Sequence, residues 1–264
     1  MAIFKVVAQN FDLIDELNQT KLTGKITCEH LFHANAFGTL IGHPEIGDDL
    51  PTVSKKIQDI ISLQEKHPDA LPFNVVMLGE SYKEFSDNSL QDIALLIKNR
   101  CSTIFNDIPD VFIKNVLLIY QPKWGINQTG VEQLPPSVKL ITRVTNKMRD
   151  FLSERLGPAG LNVSLMYGEI SSPTRAVEIL ANENLQGLMM GSACRTTEQV
   201  IDIVKAIQFA YEKRKIILVC NFKAFNLEES YQEYIDALNI VPDNFTFYFV
   251  PPATDITKLV ELTK

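Results

Sequence analysis

Short apolar segments and helical segments alternate along the whole chain, and this alternation limits its fold more than any other feature. The predicted strands are eight short apolar runs, at 3–8, 37–41, 73–78, 115–120, 162–167, 187–190, 215–220 and 245–250. The predicted helices carry apolar residues at 3- and 4-residue spacing, near 27–35, at 52–66, from about 88, behind 135–136, and at 173–183, 196–213, 228–238 and 254–263. The strands show little polar alternation, as expected when both faces are buried.

Eight such units in 264 residues predict an α/β chain of parallel βαβ units that closes into a single (β/α)8 barrel. A doubly wound open sheet is the alternative, but the chain lacks the Gly-rich phosphate turn that usually follows an early strand of that fold. Because no internal segment is rich in Gly and Ser, we predict one domain over residues 1–264.

Composition excludes several functional classes. A net charge of −7 makes nucleic acid and anionic membranes poor partners. No apolar run approaches 18 residues and the start lacks a signal-peptide pattern, so we expect a cytoplasmic protein. The four cysteines are scattered without CxxC spacing, which favours buried reduced thiols and predicts neither a metal site nor a cofactor.

Polar residues follow seven of the eight predicted strands. In a (β/α)8 barrel the chemistry gathers at these carboxyl ends. The polar ends lie at 9–10, 42–45, 79–80, 121–122, 167–169, 191–192 and 221–223. Their convergence on one face predicts a functional site.

The segment 115–130 carries the most distinctive of these ends. Its apolar run stops at Gln121 and Pro122, and Trp124 follows in a loop rich in Gly, Asn and Gln. This pattern predicts a buried strand that delivers a polar side chain to its end, followed by a mobile loop. An ordinary strand-to-helix connection with Trp124 on the surface is the alternative.

These strand ends resemble motifs of the triosephosphate isomerase family, taken in a rotated order. The segments similar to family motifs are 220–226 (CNFKAFN), 248–252 (YFVPP), 7–10 (VAQN), 22–25 (LTGK), 41–45 (IGHPE), 78–80 (LGE), 120–124 (YQPKW), 167–170 (YGEI) and 190–193 (MGSA). The resemblance covers nearly the whole chain and implies a circular permutant that begins at the family's third strand. The new junction, 211–215, is short and not rich in Gly or Ser, which favours a natural permutation.

The resemblance also implies catalytic roles for four residues. His43 matches the family's neutral electrophile, whose pKa is lowered by a helix N-terminus, here expected at Pro44. Lys223 matches the lysine that contacts substrate, and Asn221 and Glu45 match its neighbours. Glu45 is expected to pair with Lys223. For His43 the alternative is a structural histidine at a strand end. For Lys223 it is a solvated loop lysine, and for Glu45 a carboxylate stabilised by a helix dipole.

Gln121 stands where the family has its catalytic Glu. An amide is neither an acid nor a base near neutral pH, and a general base typically contributes ~10²–10⁴-fold to the rate. The adjoining lid segment, Pro122, Lys123 and Trp124, also departs from the family, with Lys123 in place of a small apolar residue.

The phosphate loops depart from the family as well. Gly168, Glu169 and Ile170 follow one strand, and Gly191 and Ser192 follow the next. Glu169 and Ile170 replace a Gly-Ser pair, and a carboxylate there would repel a phosphate dianion. An exposed loop position for Glu169 is the alternative.

These departures predict a triosephosphate-isomerase-like barrel with little or no isomerase activity, acting as a binding or interaction protein for a small polar or phosphorylated carbonyl ligand. The alternative is an active aldose–ketose isomerase that interconverts dihydroxyacetone phosphate and glyceraldehyde 3-phosphate, or acts on a related carbonyl compound, with Glu169 as base. Either function would be related to glycolysis.

The loop at 10–24 predicts assembly. It corresponds to the loop that family members insert into a partner subunit, and it carries Phe11, Leu13, Ile14 and Leu17. This apolar content predicts a two-fold homodimer. A local helix packed on its own barrel is the alternative.

Overall fold

The computed structural model describes residues 3–14, 23–125, 135–225, 227 and 229–264. The strands are β1 Ile3–Ala8, β2 Gly38–Ile41, β3 Asn74–Leu78, β4 Val116–Tyr120, β5 Ser164–Ile170, β6 Gly187–Met190, β7 Ile216–Asn221 and β8 Phe245–Val250. They form a closed barrel in chain order, and every neighbouring pair is parallel, including β8 with β1. The predicted (β/α)8 barrel is therefore confirmed.

Helices lie between successive strands. They are α1 Cys28–His33, α2 Leu50–Lys66, α3 Tyr82–Asp87, α4 Leu90–Ile104, α5 Asp110–Ile113, α6 Val138–Leu156, α7 Pro173–Leu180, α8 Thr197–Ala210, α9 Tyr231–Leu238 and α10 Ile256–Leu262. Two short helices, α3 and α5, were not predicted. A capping box in which the Ser81 and Glu84 side chains bond each other's backbone amides starts α3.

Two apolar shells hold the barrel together. Residues that alternate along the strands fill its interior, and the side chains between them pack outward against the helices. The interior residues are Val7, Leu40, Val75, Met77, Leu117, Ile119, Met166, Met189, Val219, Tyr248 and Val250. On five strands, the residue two positions after the last interior residue lies at the carboxyl end of the barrel. These residues are Gln9, Gln121, Gly168, Gly191 and Asn221. These residues form the upper layer of the barrel, which we call the mouth.

The four cysteines are all buried and unpaired, as the sequence predicts. No helix in the described part of the chain is long and apolar enough to cross a membrane. Within the same ranges, no cluster of three or more His, Cys, Asp or Glu side chains could hold a metal ion.

Candidate active site

A cavity of about 440 Å³ opens at the carboxyl ends of β1, β2 and β7. Its lining residues are Gln9, His43, Glu45, Ile46, Asn221, Lys223, Ala224 and Phe225. The structure thus brings His43, Glu45, Asn221 and Lys223 together, although 178 positions of sequence separate His43 from Asn221 and Glu45 from Lys223.

His43 is buried at the end of β2 with 5% of its surface exposed. Burial lowers the pKa of its imidazole to about 4, with a further lowering from Lys223 and an opposing effect of Glu45. The Glu45 backbone amide donates a hydrogen bond of 3.2 Å to Nδ1. The neutral ring therefore carries its hydrogen on Nε2, which lies 3.4 Å from Nδ2 of Asn221.

The expected helix start at Pro44 is wrong. Residues 44–46 form a turn, and α2 begins only at Leu50 behind the N-cap Asp49. The lowered pKa of His43 consequently comes from burial and the Lys223 charge, without an adjacent helix N-terminus.

Lys223 is fixed at both its side chain and its backbone. Its Nζ lies 2.6 Å from Glu45 Oε1, so the predicted ion pair is present. Its backbone has a φ of 50°, an unusual conformation for a non-glycine residue. The Lys223 amide donates to Asn221 Oδ1 at 3.0 Å, and its carbonyl accepts from Gln9 Nε2 at 2.6 Å. These two hydrogen bonds stabilise the strained backbone of Lys223, and this backbone positions the ammonium group.

Gln9 was predicted as a polar strand end but was given no role. The signal that identifies it is positional: it lies two residues beyond Val7, which points into the barrel interior. From there its side chain reaches the backbone of Lys223.

Gln121 is buried at the end of β4, with 3% of its surface exposed. Its Oε1 has no hydrogen-bond partner in the described ranges. The side chain lies against Gly168, where an added Cβ would come within 3.3 Å of the Gln121 Cδ. The structure therefore places a non-titrating amide in the mouth.

The Glu169 side chain is half-buried in β5 and extends across the mouth. The alternative of an exposed loop position is therefore wrong. A Cβ on Gly191 would lie 3.0 Å from Glu169 Oε1 and 3.4 Å from Lys223 Cε, which places all three side by side. Burial raises the pKa of the Glu169 carboxyl, Lys223 lowers it and Glu45 raises it further. Its Oε2 is buried without a hydrogen-bond partner among the described residues.

The other phosphate-loop residues differ in their surroundings. Ile170 is the last residue of β5, and its side chain is fully buried in the outer apolar shell rather than in the mouth. Ser192 is exposed at the start of a 3₁₀ turn, Ser192–Cys194.

Trp124 is packed rather than on the surface. Its Nε1 donates to Glu80 Oε1 at 2.8 Å, and its ring stacks on Phe85 at 4.1 Å. Tyr120 Oη donates to the same carboxylate at 3.0 Å. Glu80 is fully buried, and burial raises the pKa of its carboxyl. Sequence reasoning gave Glu80 no role, although it anchors the start of the lid segment.

The rest of the lid segment is less enclosed. Pro122 is buried, and Lys123 is exposed in the 3₁₀ turn Lys123–Gly125. The mobile loop predicted after this turn falls at 126–134, outside the described residues.

Beside the mouth, the described residues bring together one ammonium group, that of Lys223, and two carboxylates, those of Glu45 and Glu169. His43 is neutral near pH 7, and Gln121 cannot ionise. When Glu169 is ionised the site has a net negative charge, which suits a neutral ligand better than a dianion.

Comparison with known proteins gives a consistent family assignment. A sequence model described as triosephosphate isomerase matches residues 2–207. Triosephosphate isomerase of Malacoplasma penetrans is 27% identical over 206 residues, which is 76% of either chain. That of Lawsonia intracellularis is 27% identical over 188 residues, 70% of this chain and 69% of the relative. That of Brucella abortus is 30% identical over 172 residues, 65% of this chain and 63% of the relative.

Proposed function

Since the chain belongs to the triosephosphate isomerase family, we propose that it binds a small neutral carbonyl ligand in the mouth and isomerises triose phosphates little or not at all. The buried amide of Gln121 at the end of β4 is the observation that carries this proposal. The resemblance of the motif at 120–124 implies that Gln121 stands where the family has its proton-transferring carboxylate.

The part of the site formed by His43, Asn221 and Lys223 is suited to binding a carbonyl group. His43 presents Nε2–H and Asn221 presents Nδ2–H within 3.4 Å of each other, so one carbonyl oxygen could accept from both. Lys223, held by Glu45 and by its backbone bonds, adds positive charge beside them. Such donors bind and polarise a carbonyl group, but they do not remove a proton from the neighbouring carbon.

The position of Glu169 supports a ligand without a phosphate. The carboxylate lies against Gly191, at the carboxyl end of β6, where the resemblance implies a phosphate loop. A dianion there would meet a like charge in a partly buried environment. If no phosphate binds there, the site lacks the remote binding energy that would close a lid and orient the reacting carbon of a substrate.

A second candidate function is catalysis with Glu169 as the base. The observation that favours it is the Glu169 carboxylate beside Lys223 and Gly191. Burial raises the pKa of this carboxyl, which increases its basicity. In this case the substrate would be a carbonyl compound whose reacting carbon lies on the β5–β6 side of the mouth.

We also propose that the strand order is circularly permuted. The rotated order of the motifs supports this, and so does the end of the family match at residue 207, inside α8. The motif segments that resemble the family's first two strands, 220–226 and 248–252, lie beyond that end. Pairing of β8 with β1 closes the barrel across the two chain ends, which makes such a permutation physically tolerable.

We propose a two-fold homodimer through the loop at 10–24. Phe11 is 1% exposed within its own barrel, so its apolar surface is already buried. Leu13 and Ile14 are half-buried and could extend into a contact. Leu17 falls at 15–22, outside the described residues.

A coupled isomerase assay on four proteins tests the proposed function: the unaltered chain, Gln121→Glu, the pair Glu169→Gly with Ile170→Ser, and all three changes. We expect negligible turnover by the unaltered chain, little from Gln121→Glu and more from the triple variant. Because Ile170 is fully buried, thermal melting must accompany each assay and Glu169→Gly alone serves as the matched control. Robust turnover by the unaltered chain would reject the proposal and make Glu169→Gln the next variant to assay.

A further inference from the structure

Two polar side chains on one side of the mouth are left with unpaired oxygen atoms. Gln121 Oε1 and Glu169 Oε2 are buried, and neither accepts a hydrogen bond from any described residue. Glu169 also takes no part in the ion pairs of the described residues, since Lys223 pairs with Glu45 instead. Buried polar atoms are nearly always hydrogen-bonded, and an unpaired one costs free energy. Two such acceptors in one site indicate that a ligand supplies the missing donors.

Two glycines make room for these side chains. A Cβ on Gly168, in β5, would lie 3.3 Å from the Gln121 Cδ, and a Cβ on Gly191, after β6, would lie 3.0 Å from Glu169 Oε1. The amide and the carboxylate therefore occupy space in the mouth that two other side chains would fill. The torsion that orients each of these end groups has a broad energy minimum, so a small rotation presents either atom of the group to a ligand.

The mouth consequently has two sides of opposite hydrogen-bonding character. On the side of β7, β8, β1 and β2, His43 and Asn221 offer N–H donors and Lys223 offers an ammonium group. On the side of β4, β5 and β6, Gln121 and Glu169 offer oxygen acceptors. A ligand that satisfies both sides has an acceptor for the first side and hydrogen-bond donors for the second.

A hydroxyl group is the donor that best suits the second side. It donates one hydrogen bond and accepts two, so it can bond the Glu169 carboxylate or the Gln121 amide in either orientation of that amide. An ammonium group would lie near the like charge of Lys223, whose Cε is 3.4 Å from the point where a Cβ on Gly191 would be. A phosphate dianion has no donor to offer and meets the charge of Glu169.

We propose that Gln121 and Glu169 form a subsite for hydroxyl groups, and that the ligand of the mouth is a small unphosphorylated ketone with a hydroxyl group on each side of its carbonyl. The carbonyl oxygen accepts from His43 and Asn221. One hydroxyl group bonds the Gln121 amide, and the other donates to the Glu169 carboxylate. The inference rests on the proposed function, because it starts from a carbonyl group held by His43 and Asn221, and it adds the groups that the ligand carries beside that carbonyl.

Two ketones of equal size test the subsite. Dihydroxyacetone has a hydroxyl group on each side of the carbonyl, whereas 1-hydroxy-2-butanone has a methyl group in place of one of them. Each ketone is titrated into the full chain at neutral pH, and binding is followed by NMR through the ring resonances of His43, which are assigned by their loss in a His43→Asn variant. For ligands this small we expect dissociation constants in the millimolar range.

We expect the unaltered chain to bind dihydroxyacetone roughly 10-fold more tightly or better than 1-hydroxy-2-butanone, because the methyl group leaves one polar partner without its hydrogen bond. Glu169→Ala and Gln121→Leu each leave only one partner for a hydroxyl group. The preference should therefore fall to about 3-fold or less in either variant. Glu261→Gln, which neutralises an exposed carboxylate on α10, is the control and should keep the full preference.

Equal affinity of the unaltered chain for the two ketones would overturn the hydroxyl subsite and leave the proposed carbonyl site standing. A preference that persists unchanged in both Glu169→Ala and Gln121→Leu would overturn the subsite as well, with circular dichroism showing that each variant is folded. If neither ketone perturbs the His43 resonances, the carbonyl site itself is rejected, and the subsite with it.

Discussion

Replacing Glu169 by Gln should convert the mouth from a site that repels phosphate into one that tolerates it. The substitution removes one negative charge and preserves the size of the side chain. Glu169 Oε1 lies 3.0 Å from the point where a Cβ on Gly191 would be. A phosphate held at the ends of β5 and β6 would consequently lie within about 5 Å of the carboxylate.

Coulomb's law gives the expected magnitude. Two unit charges about 5 Å apart contribute about 3 kcal/mol at an effective dielectric constant of about 20. The second negative charge of a phosphate dianion increases this repulsion energy, while Lys223 and the half-buried position of Glu169 reduce it. We expect a net gain of about 1.5–3 kcal/mol, which is a roughly 10- to 100-fold lower dissociation constant.

Isothermal calorimetry with 2-phosphoglycolate measures this change directly. The unaltered chain should bind the dianion weakly or undetectably, and its binding should improve with added salt because salt screens the repulsion. The Glu169→Gln variant should bind more tightly and should lose affinity with salt. Binding by the unaltered chain should also improve as pH falls. Because the pKa of Glu169 is raised, its carboxylate takes up a proton at a higher pH than an ordinary glutamate does, and the repulsion is lost.

The matched control is Glu261→Gln, which removes an exposed carboxylate from α10 and alters net charge equally. It should leave dianion affinity unchanged. Micromolar binding of phosphoglycolate by the unaltered chain at moderate salt would refute the reasoning. An unchanged affinity in a folded Glu169→Gln variant would refute it as well.

Two further predictions concern stability. Glu80→Leu leaves the Tyr120 hydroxyl and the Trp124 indole N–H without their acceptor, at about 1–3 kcal/mol each, and should lower the melting temperature by roughly 2 °C per kcal/mol; an unchanged melting temperature in calorimetry would contradict this. His43 should make the protein lose up to about 3 kcal/mol of unfolding free energy as pH falls from 6.5 to 4, because the unfolded chain binds a proton that the native imidazole, with its pKa of about 4, does not. Urea unfolding against pH measures this loss, and a His43→Asn variant should lack it.

Local sequence determined the barrel almost completely. The eight apolar runs match the eight strands closely, since strands buried on both faces need continuous apolar sequence. The largest difference is β5, which continues to Ile170, three residues past its predicted end. The extra helix α3 also escaped prediction, because six residues with no buried side chain carry no apolar period.

Sequence also identified most of the residues at the mouth, since polar groups that end buried strands converge in a closed barrel. Residue type alone was enough to show that Gln121 cannot act as a base. The ion pair of Lys223 with Glu45 followed from the motifs that contain them.

Tertiary structure alone decided the environments of these residues. It showed that burial rather than a helix N-terminus lowers the pKa of His43, and that Glu169 lies over Gly191 beside Lys223. A periodic pattern specifies which face of a strand is buried, but it contains no distances between strands. His43 and Asn221 are 178 positions apart, and only closure of the barrel brings their side chains to 3.4 Å.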